Sequence, residues 1–489
     1  MSATRAETGP SSQHGEGRAS RPFRRPVPPA PPRALQRREP RSAFGRRAGW
    51  WIFATGVALY MLLSAQGLLA IGIPYDATWG PFIAKLHPGT WLIAIAYFVL
   101  LSSYGHPMRV AASQFAAHRL LLVYLICIVF VFFYSLLRHG PSGAAFIIDT
   151  LIMPALAVFC IVMLDKRQRY ACLAMIVTLL VANTLIGLVE SLLQARLIPL
   201  RLAGDIEVVD DFFRPSALLG HPLANALITA ALLPAVLALR ISMAWRCSLM
   251  LLLWVGVLAF GGRTSFVLAT LLFGGWFGMQ VASAAARGRF SYAQITGGAL
   301  IGMLAIVLLA AAIALSGIGD RIFMNLKWDN SASVRTRIWD VWDFVSDQDM
   351  LVGISPSAIA DLTWRLGLHG PGEAIENFWL GMALRLGLIG FVPFAIAMGC
   401  AFAWLWNSSN GAMRVSVVLF FISASSNNSL ATKSISLSML FIAVAATRRM
   451  WATQSLPAYP FTGAAPGPYK FVRAARPSSS ARSSSRATA

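Results

Sequence analysis

Long apolar runs alternate with short polar segments along most of this chain. Most runs approach or exceed the ~20 residues that an α-helix needs to cross ~30 Å of hydrocarbon. They predict an all-α fold, a polytopic helical membrane protein with about 12 transmembrane helices and one long extracytoplasmic loop. The predicted spans lie near residues 50–72, 90–104, 119–137, 144–164, 170–193, 217–239, 246–260, 264–282, 293–316, 377–405, 414–426 and 434–446.

The composition excludes a soluble globular protein. Hydrophobic residues make up 57% of the chain and charged residues only 12%, whereas soluble domains are about 25% charged. The five cysteines lie in or beside apolar runs, without the paired spacing of a metal site or a disulfide framework. They are predicted to be small core residues.

Basic segments flank the apolar region on both sides. Residues 1–49 contain 11 arginines and three glutamates, and residues 447–489 contain seven basic residues and no acidic one. Neither segment has the aromatic interleaving or the apolar content of a folded nucleic-acid-binding domain. We therefore expect two disordered basic cytoplasmic tails near anionic lipid, around a transmembrane domain at 50–446, and no nucleic-acid partner.

The basic residues of the short loops predict the orientation. Lys166, Arg167, Arg240 and Arg287 belong to clusters that fall on alternate loops, and such loops stay in the cytoplasm. This pattern predicts a multi-pass membrane protein with both termini cytoplasmic. The opposite side of the membrane then receives a loop at 194–216 and a longer one at 317–375, which hold most of the acidic residues.

The long loop contains a candidate amphipathic helix. Ser333 can cap a helix over 334–345, with Trp339 and Trp342 on its apolar face beside Ile338 and Val345. Indole rings at a wet boundary suit a sugar ligand, but anchoring of the loop among lipid headgroups explains them equally well.

A few polar residues lie inside the predicted spans, where they are costly and mark candidate functional positions. These are Asp149, Asn183, Glu190 and Arg385. For Asp149 and Glu190, an interhelical hydrogen bond or a position at headgroup level is an equally good interpretation. Arg385 lies nine residues after Glu376, about 13 Å along a helix, and must face protein or water.

Arginines gather at the predicted outer boundary, where Arg214, Arg263, Arg335 and Arg337 stand near the ends of apolar runs. Guanidinium groups beside an apolar wall suit a ligand that combines phosphate with lipid. The sequence has no Walker loop, HExxH, GxSxG or Asp-rich magnesium motif. The predicted chemistry is a metal-independent transfer on a lipid-linked substrate, without a cofactor.

Three groups of residues resemble the O-antigen ligase and Wzy-type polysaccharide polymerase superfamily. The first runs from Arg214-Pro215-Ser216 through Gly220-His221-Pro222 to Asn225, and the second is Gly261-Gly262-Arg263-Thr264-Ser265. The third consists of Ser333 to Trp339, Leu351-Val352-Gly353, Glu376-Asn377-Phe378-Trp379 and Gly387-Leu388-Ile389-Gly390. The resemblance covers roughly residues 50–446, and its motifs lie between about 214 and 390.

The resemblance implies transfer of a glycan from an undecaprenyl-diphosphate-linked oligosaccharide to a glycan acceptor at the outer leaflet. It also implies that the membrane is the bacterial plasma (inner) membrane and that the loop at 317–375 is periplasmic. It implies that Arg214, Arg263 and Arg335 hold the diphosphate. Ligases of this superfamily place a histidine before the asparagine at the end of the loop, and here Glu376 stands in that position. A carboxylate shielded by apolar surface can act as the base, so Glu376 is the predicted catalytic base and His369 its substitute.

The departure at Glu376 favours a glycan polymerase that joins repeat units of O-antigen, capsule or exopolysaccharide, with a chain-length regulator as an optional partner. The alternative in the same fold is an O-antigen ligase that transfers polymer to lipid A core or protein. The alternative from another class is a polysaccharide or lipid transporter or flippase, although the sequence lacks the two similar halves typical of transporters. The sugar, its linkage and the acceptor stay open.

Overall fold

A computed structural model describes residues 42–76, 79–202, 206–207, 213–288, 337–367, 375, 377–427 and 430–448. In this part of the chain the protein is helical apart from two short strands, which confirms the predicted all-α class. The helices of ten residues or more are α1 (Ala43–Leu62), α3 (Pro88–Ser102), α4 (Pro107–Ala117), α5 (Arg119–Ile147), α6 (Met153–Met163), α7 (Lys166–Leu193), α8 (Pro222–Leu232), α9 (Met243–Ala259), α11 (Gly275–Ala286), α13 (Pro356–Arg365), α14 (Phe378–Ser408), α15 (Gly411–Ser425) and α16 (Ser436–Thr447).

Shorter elements connect these helices. The α-helices α2 (Ala65–Ala70), α10 (Arg263–Leu268) and α12 (Asp347–Val352) have six residues each. Single 3₁₀ or π segments cover Phe82–Lys85, Ile148–Ile152, Leu233–Ala238, Ala269–Gly274 and Ile338–Phe344. Strand β1 (Arg201–Leu202) pairs antiparallel with β2 (Ile206–Glu207).

In the part of the chain that the structure describes, five helical segments are long and apolar enough to cross a membrane, or six if α3 and α4, which are bent by 112° relative to each other, form one span. The five are Arg119–Pro141, Ala144–Met163, Lys166–Leu193, Arg263–Ala286 and Phe378–Ser408. Every predicted span except 293–316, which lies outside the described residues, contains a helix, but several are shorter than a membrane requires. The predicted number of twelve spans therefore stays a prediction.

The first predicted span, at 50–72, is wrong in its bounds. Helix α1 begins at Ala43, inside the predicted tail, because the Ser42 side chain accepts a hydrogen bond from Gly45 N–H. It ends at Leu62, and Ser64 caps the separate helix α2. The apolar run is continuous in sequence, but the chain turns where the serine side chain competes for backbone N–H groups.

Contacts between helix termini define two ends of the bundle. At the basic end, Ser42 N–H donates to Ser103 O (3.3 Å), Tyr104 OH to Met163 O (3.5 Å) and Arg240 N–H to Tyr170 OH (3.0 Å). The predicted cytoplasmic clusters, near residues 166, 240, 287 and 448, belong to connections at this end. We call the opposite end, with Leu63, His87, Gly261, Asn377 and Lys433, the loop end.

The described part of the long loop forms a small apolar cluster of its own. Ile338, Val341, Leu362 and Leu366 are buried in it with Leu380 of α14. The predicted helix over 334–345 differs from the structure, where Ile338–Phe344 is a 3₁₀ segment. Because a 3₁₀-helix repeats every three residues, Ile338 and Val341 face inward together.

Candidate functional site at the loop end

Nine of the twelve predicted site residues are among the described residues. Glu376 and His369, the candidate bases, and Arg335 lie outside the described residues. Their roles stay predictions from the sequence. The other candidates fall into three places: the start of α8, the start of α10 and the region where the long loop meets α14.

The buried carboxylate of Glu190 holds the chain segment that leads into α8. Its Oε1 accepts a hydrogen bond from Leu197 N–H (2.6 Å), and its Oε2 accepts from Ser216 N–H (2.9 Å) and Ala217 N–H (2.8 Å). Ala217 has a φ of +41°, which is costly for a residue with a side chain. Of the two sequence interpretations, the structure shows hydrogen bonding, here from a helix to a loop.

Asn183 and Asn225 fix the first turn of α8. Asn183 Nδ2 donates to Asn225 Oδ1 (2.8 Å), and Asn183 Oδ1 accepts from Leu218 N–H (2.9 Å). Asn225 Nδ2 donates to the carbonyls of Ser216 (2.6 Å) and His221 (3.1 Å). Both side chains are fully buried, and Asn225 positions the residues at the start of α8.

Arg214 and His221 lie on the segment that these buried groups hold. His221 is the N-cap of α8, and its Nδ1 accepts from Leu223 N–H (3.3 Å). The imidazole is exposed and borders a cavity. Arg214 is half-buried, and its backbone carbonyl accepts a hydrogen bond from Arg196 Nε (3.1 Å).

Arg263 is the first residue of α10, next to the start of α8. A Cβ built on Gly262 would lie 2.4 Å from the Ala226 Cβ, so glycine permits this close approach. The half-buried Arg263 therefore lies beside α8, the helix that His221 caps. The structure thus brings together the first two groups of residues that carry the resemblance.

The third group of residues that carry the resemblance, which includes Trp379, contacts the loop end through α15. Ser265 Oγ and Ser423 Oγ are 2.5 Å apart, and Trp379 Nε1 donates to Ser425 Oγ (2.8 Å). Asn377, a predicted site residue, caps α14 by accepting from Leu380 N–H (3.1 Å). Its side chain thus has a structural role.

Arg385 lies elsewhere, where the loop docks on α14. Its guanidinium is over the Phe146 ring (5.2 Å), and its carbonyl accepts from His139 Nε2 (2.8 Å). Its Nε is buried without a hydrogen-bond partner among the described residues. The prediction that Arg385 must face protein or water is confirmed, since it faces Phe146.

The aromatic face predicted for the loop is only partly present. Trp342 packs half-buried against the small apolar cluster, but the Trp339 side chain is 54% exposed and does not share that face. The 3₁₀ geometry, rather than the expected α-helix, causes the difference. Arg337 is exposed, near Gly367.

A cavity of ≈ 290 Å³ with both polar and apolar lining residues lies at the loop end between the end of α1, the start of α8 and the residues before α16. Lys433 and Asp76, which the sequence analysis did not single out, stand on its wall with His221. The Lys433 Nζ lies 3.9 Å from Asp76 Oδ1 and 4.5 Å from the Tyr75 ring centroid, and it donates to the Tyr75 carbonyl. The sequence feature that could have identified Lys433 is its position directly before the last apolar run.

Asp149 stabilises the wall of this cavity through buried hydrogen bonds. Its Oδ1 accepts from Thr90 Oγ1 (2.7 Å), whose oxygen is also 2.6 Å from Tyr60 OH, and its Oδ2 accepts from His87 N–H (3.0 Å). The two sequence interpretations of Asp149 were function and hydrogen bonding. The structure shows hydrogen bonds that join α3 to the segment before α6.

Burial shifts the pKa values of two side chains that line the cavity, Lys433 and His87. It lowers the pKa of Lys433, while the nearby carboxylates of Asp76 and Asp149 act in the opposite direction. It lowers the pKa of His87 to about 4, against the hydrogen bond from its ring to the Leu63 carbonyl. His87 is therefore neutral at pH 7. For Lys433, the attraction of the two carboxylates opposes the effect of burial on its pKa.

Among the described residues, no three His, Cys, Asp or Glu side chains are placed to hold a metal ion. The loop end offers a ligand the side chains of arginine, lysine and histidine residues and the carboxylate of Asp76. The basic side chains among them can bind phosphate and hydroxyl oxygens. No protein-family model matches the sequence, and a comparison with curated proteins gives no match.

Proposed function

We propose that this protein is a metal-independent glycosyltransferase that joins undecaprenyl-diphosphate-linked repeat units at the outer face of the plasma membrane. The observation that best supports the proposal is the proximity of Arg263 to α8, which His221 caps, beside a cavity with polar and apolar lining at one end of an apolar bundle. Such a place offers phosphate-binding groups, polar groups for a glycan and an apolar surround for a lipid. This combination matches an amphiphilic donor.

In the proposed reaction, an acceptor hydroxyl oxygen attacks the anomeric carbon of the donor sugar. The bond from that carbon to the diphosphate oxygen breaks, and the diphosphate leaves with the electron pair. Glu376 takes the hydroxyl proton, and arginines at the loop end neutralise the departing charge. Electrostatic stabilisation of a developing charge by fixed donors is commonly the largest catalytic contribution.

The arginines provide the first test. Purified protein in liposomes is given a lipid-linked repeat, and polymer is measured for wild type and for Arg263→Lys. We expect a loss of at least ~10²-fold, because one ammonium cannot reproduce the two parallel hydrogen bonds of a guanidinium fork. Arg287→Lys, at the exposed basic end of α11, is the matched control and should retain full activity.

Glu376→Gln tests the base separately, since glutamine keeps the shape but cannot take up the proton. Turnover should fall by ~10²- to 10⁴-fold while the donor still binds. Wild-type turnover in this variant would refute the assignment of Glu376 as the base without contradicting the glycosyltransferase proposal. His369→Ala would then be the next variant to measure. Full polymer from Arg263→Lys would refute the proposed diphosphate site.

A further inference from the structure

The cavity at the loop end has a wall with paired opposite charges. The Lys433 side chain is 10% exposed and the Asp76 side chain 68% exposed, so the ammonium lies inside and the carboxylate at the mouth. Their 3.9 Å separation is longer than a hydrogen bond. Each group therefore keeps hydrogen-bonding capacity for a third partner.

The Lys433 ammonium can donate a hydrogen bond directly to a ligand. An ammonium has three N–H donors, and among the described residues Lys433 gives a hydrogen bond to the Tyr75 carbonyl. At least one N–H remains for the cavity. Neighbouring hydroxyls of a sugar ring complement this arrangement, because one can accept from Lys433 while the other donates to Asp76.

The rest of the lining suits the same ligand. Side chains of Ser64, Thr432 and Ser434 contribute hydroxyl groups to the lining, and the buried side chains of Tyr60 and Tyr75 complete this part of the wall. The opposite charges of Lys433 and Asp76 cancel, which favours a neutral ligand over an anion. A volume of ≈ 290 Å³ is at the lower end of ligand cavities, so it suits one sugar residue and not a whole repeat.

The cavity also lies close to the proposed diphosphate site. His221 and Ala224 of the first α8 turn line it, and Ala226 on the same helix contacts Gly262, next to Arg263. The two places are therefore separated by about one helix diameter, ~10 Å. This distance fits neighbouring parts of one lipid-linked glycan, or a donor and an acceptor that meet.

We propose that this cavity binds one neutral sugar residue of the glycan, with Lys433 and Asp76 gripping two neighbouring hydroxyls. The assignment rests on the proposed function for the source of the sugar. That source is either the lipid-linked donor or the acceptor chain. Both present the same ring chemistry to the cavity.

The test measures binding without transfer. Ala65→Cys places a thiol on the cavity wall, in a Cys247→Ser background that removes the exposed native thiol. The rate of its reaction with a methanethiosulfonate reagent is measured in liposomes with a panel of neutral methyl glycosides and their uronate counterparts. We expect at least one neutral glycoside to slow labelling by ~10-fold or more at saturation, equivalent to ~1.4 kcal/mol.

Lys433→Met and Asp76→Asn should each abolish this protection, whereas Lys166→Met and Asp343→Asn, exposed and outside the cavity, should keep it. Asp76 is exposed, so Asp76→Asn keeps the test decisive if Lys433→Met fails to fold. Absence of protection by every neutral glycoside, or protection by uronates alone, would overturn the proposal. Protection that persists when no transfer activity can be found would refute the proposed function and leave the sugar site standing.

The source of the sugar is decided with two further probes, a lipid-linked repeat and a lipid-free oligosaccharide. If Arg263→Lys weakens protection by the lipid-linked repeat alone, the cavity holds a donor sugar. If protection by both probes is unaffected, it holds an acceptor sugar. Either result supports the sugar site.

Discussion

Gly353 and Gly387 contact each other backbone to backbone, and each has a positive φ, +83° and +57°. A Cβ on Gly387 would lie 2.2 Å from Gly353 N, and one on Gly353 would lie 2.6 Å from Gly387 N. Around this contact, Tyr134 OH donates to Val352 O (2.6 Å) and Arg138 Nη2 to Gly353 O (3.1 Å). The long loop is thus docked where α14 departs from helical geometry at Gly387.

Gly387→Ala should undock the loop. Alanine at a positive φ costs ~1–2 kcal/mol by itself, and here its Cβ would also overlap the Gly353 backbone. We expect a lower thermal midpoint in detergent and faster proteolysis between residues 345 and 367. Gly399→Ala on the same helix is the control, because a Cβ there meets nothing within 4 Å. Equal effects of the two substitutions would contradict the docking role.

Glu190 offers a test of a buried polar group that is structural. In Glu190→Gln, an amide NH₂ replaces one of the carboxylate oxygens that accept from Leu197, Ser216 and Ala217. At least one buried N–H then loses its acceptor, at a cost of ~1–3 kcal/mol. We expect a clear fall in the thermal midpoint, with residual activity in the fraction that stays folded. A catalytic role would give the opposite result, full stability with lost turnover.

The helix positions could largely be predicted from the sequence, because apolar runs and local capping groups decide them. Predicted span 170–193 corresponds to α7 (Lys166–Leu193), which begins earlier because Asp165 and Gln168 form a capping box. The break at Gly140 falls between the predicted spans 119–137 and 144–164. The break at Gly387, inside predicted span 377–405, was missed, since hydropathy does not register a single positive φ.

The candidate site was predicted only in part. The segments that contain Arg214 and Arg263 were singled out from the sequence, and the structure places Gly262, next to Arg263, against Ala226 of α8. Lys433 and Asp76 lie far apart in sequence, and nothing in either local pattern indicates that they meet. Such pairs depend on how the helices pack, which periodicity alone does not specify.

His87 predicts a pH dependence of stability. Its Nε2 faces the Leu63 carbonyl (2.7 Å) and must donate, so its Nδ1, which faces Gly89 N–H (3.0 Å), must accept. Protonation of Nδ1 would remove this helix cap, in agreement with a pKa lowered from 6.5 to about 4. The unfolded chain then binds more protons between these values, so stability is present above pH 6.5 and falls as the pH drops toward 4, by up to about 3 kcal/mol.

Thermal midpoints of wild type and His87→Asn across pH 7.5 to pH 5 measure this effect. Asparagine can keep the cap on α3 but does not titrate, so the variant should lose less stability on acidification. The difference between the two curves isolates His87 from the other acid-sensitive groups. Parallel curves would contradict a titrating cap.

The last prediction concerns which end of the bundle faces the cytoplasm. The basic connections lie at one end and the docked loop at the other, and short loops rich in lysine and arginine stay inside the cell. Cysteines are placed at the exposed positions Asp361, on α13, and Ala286, at the end of α11, each in the Cys247→Ser background. In right-side-out membrane vesicles, an impermeant maleimide should label Asp361→Cys directly and Ala286→Cys only after detergent is added. Labelling of both in detergent is the control for reactivity, and the reverse pattern in sealed vesicles would place the cavity and the arginines on the cytoplasmic side, where an outer-leaflet transferase cannot act.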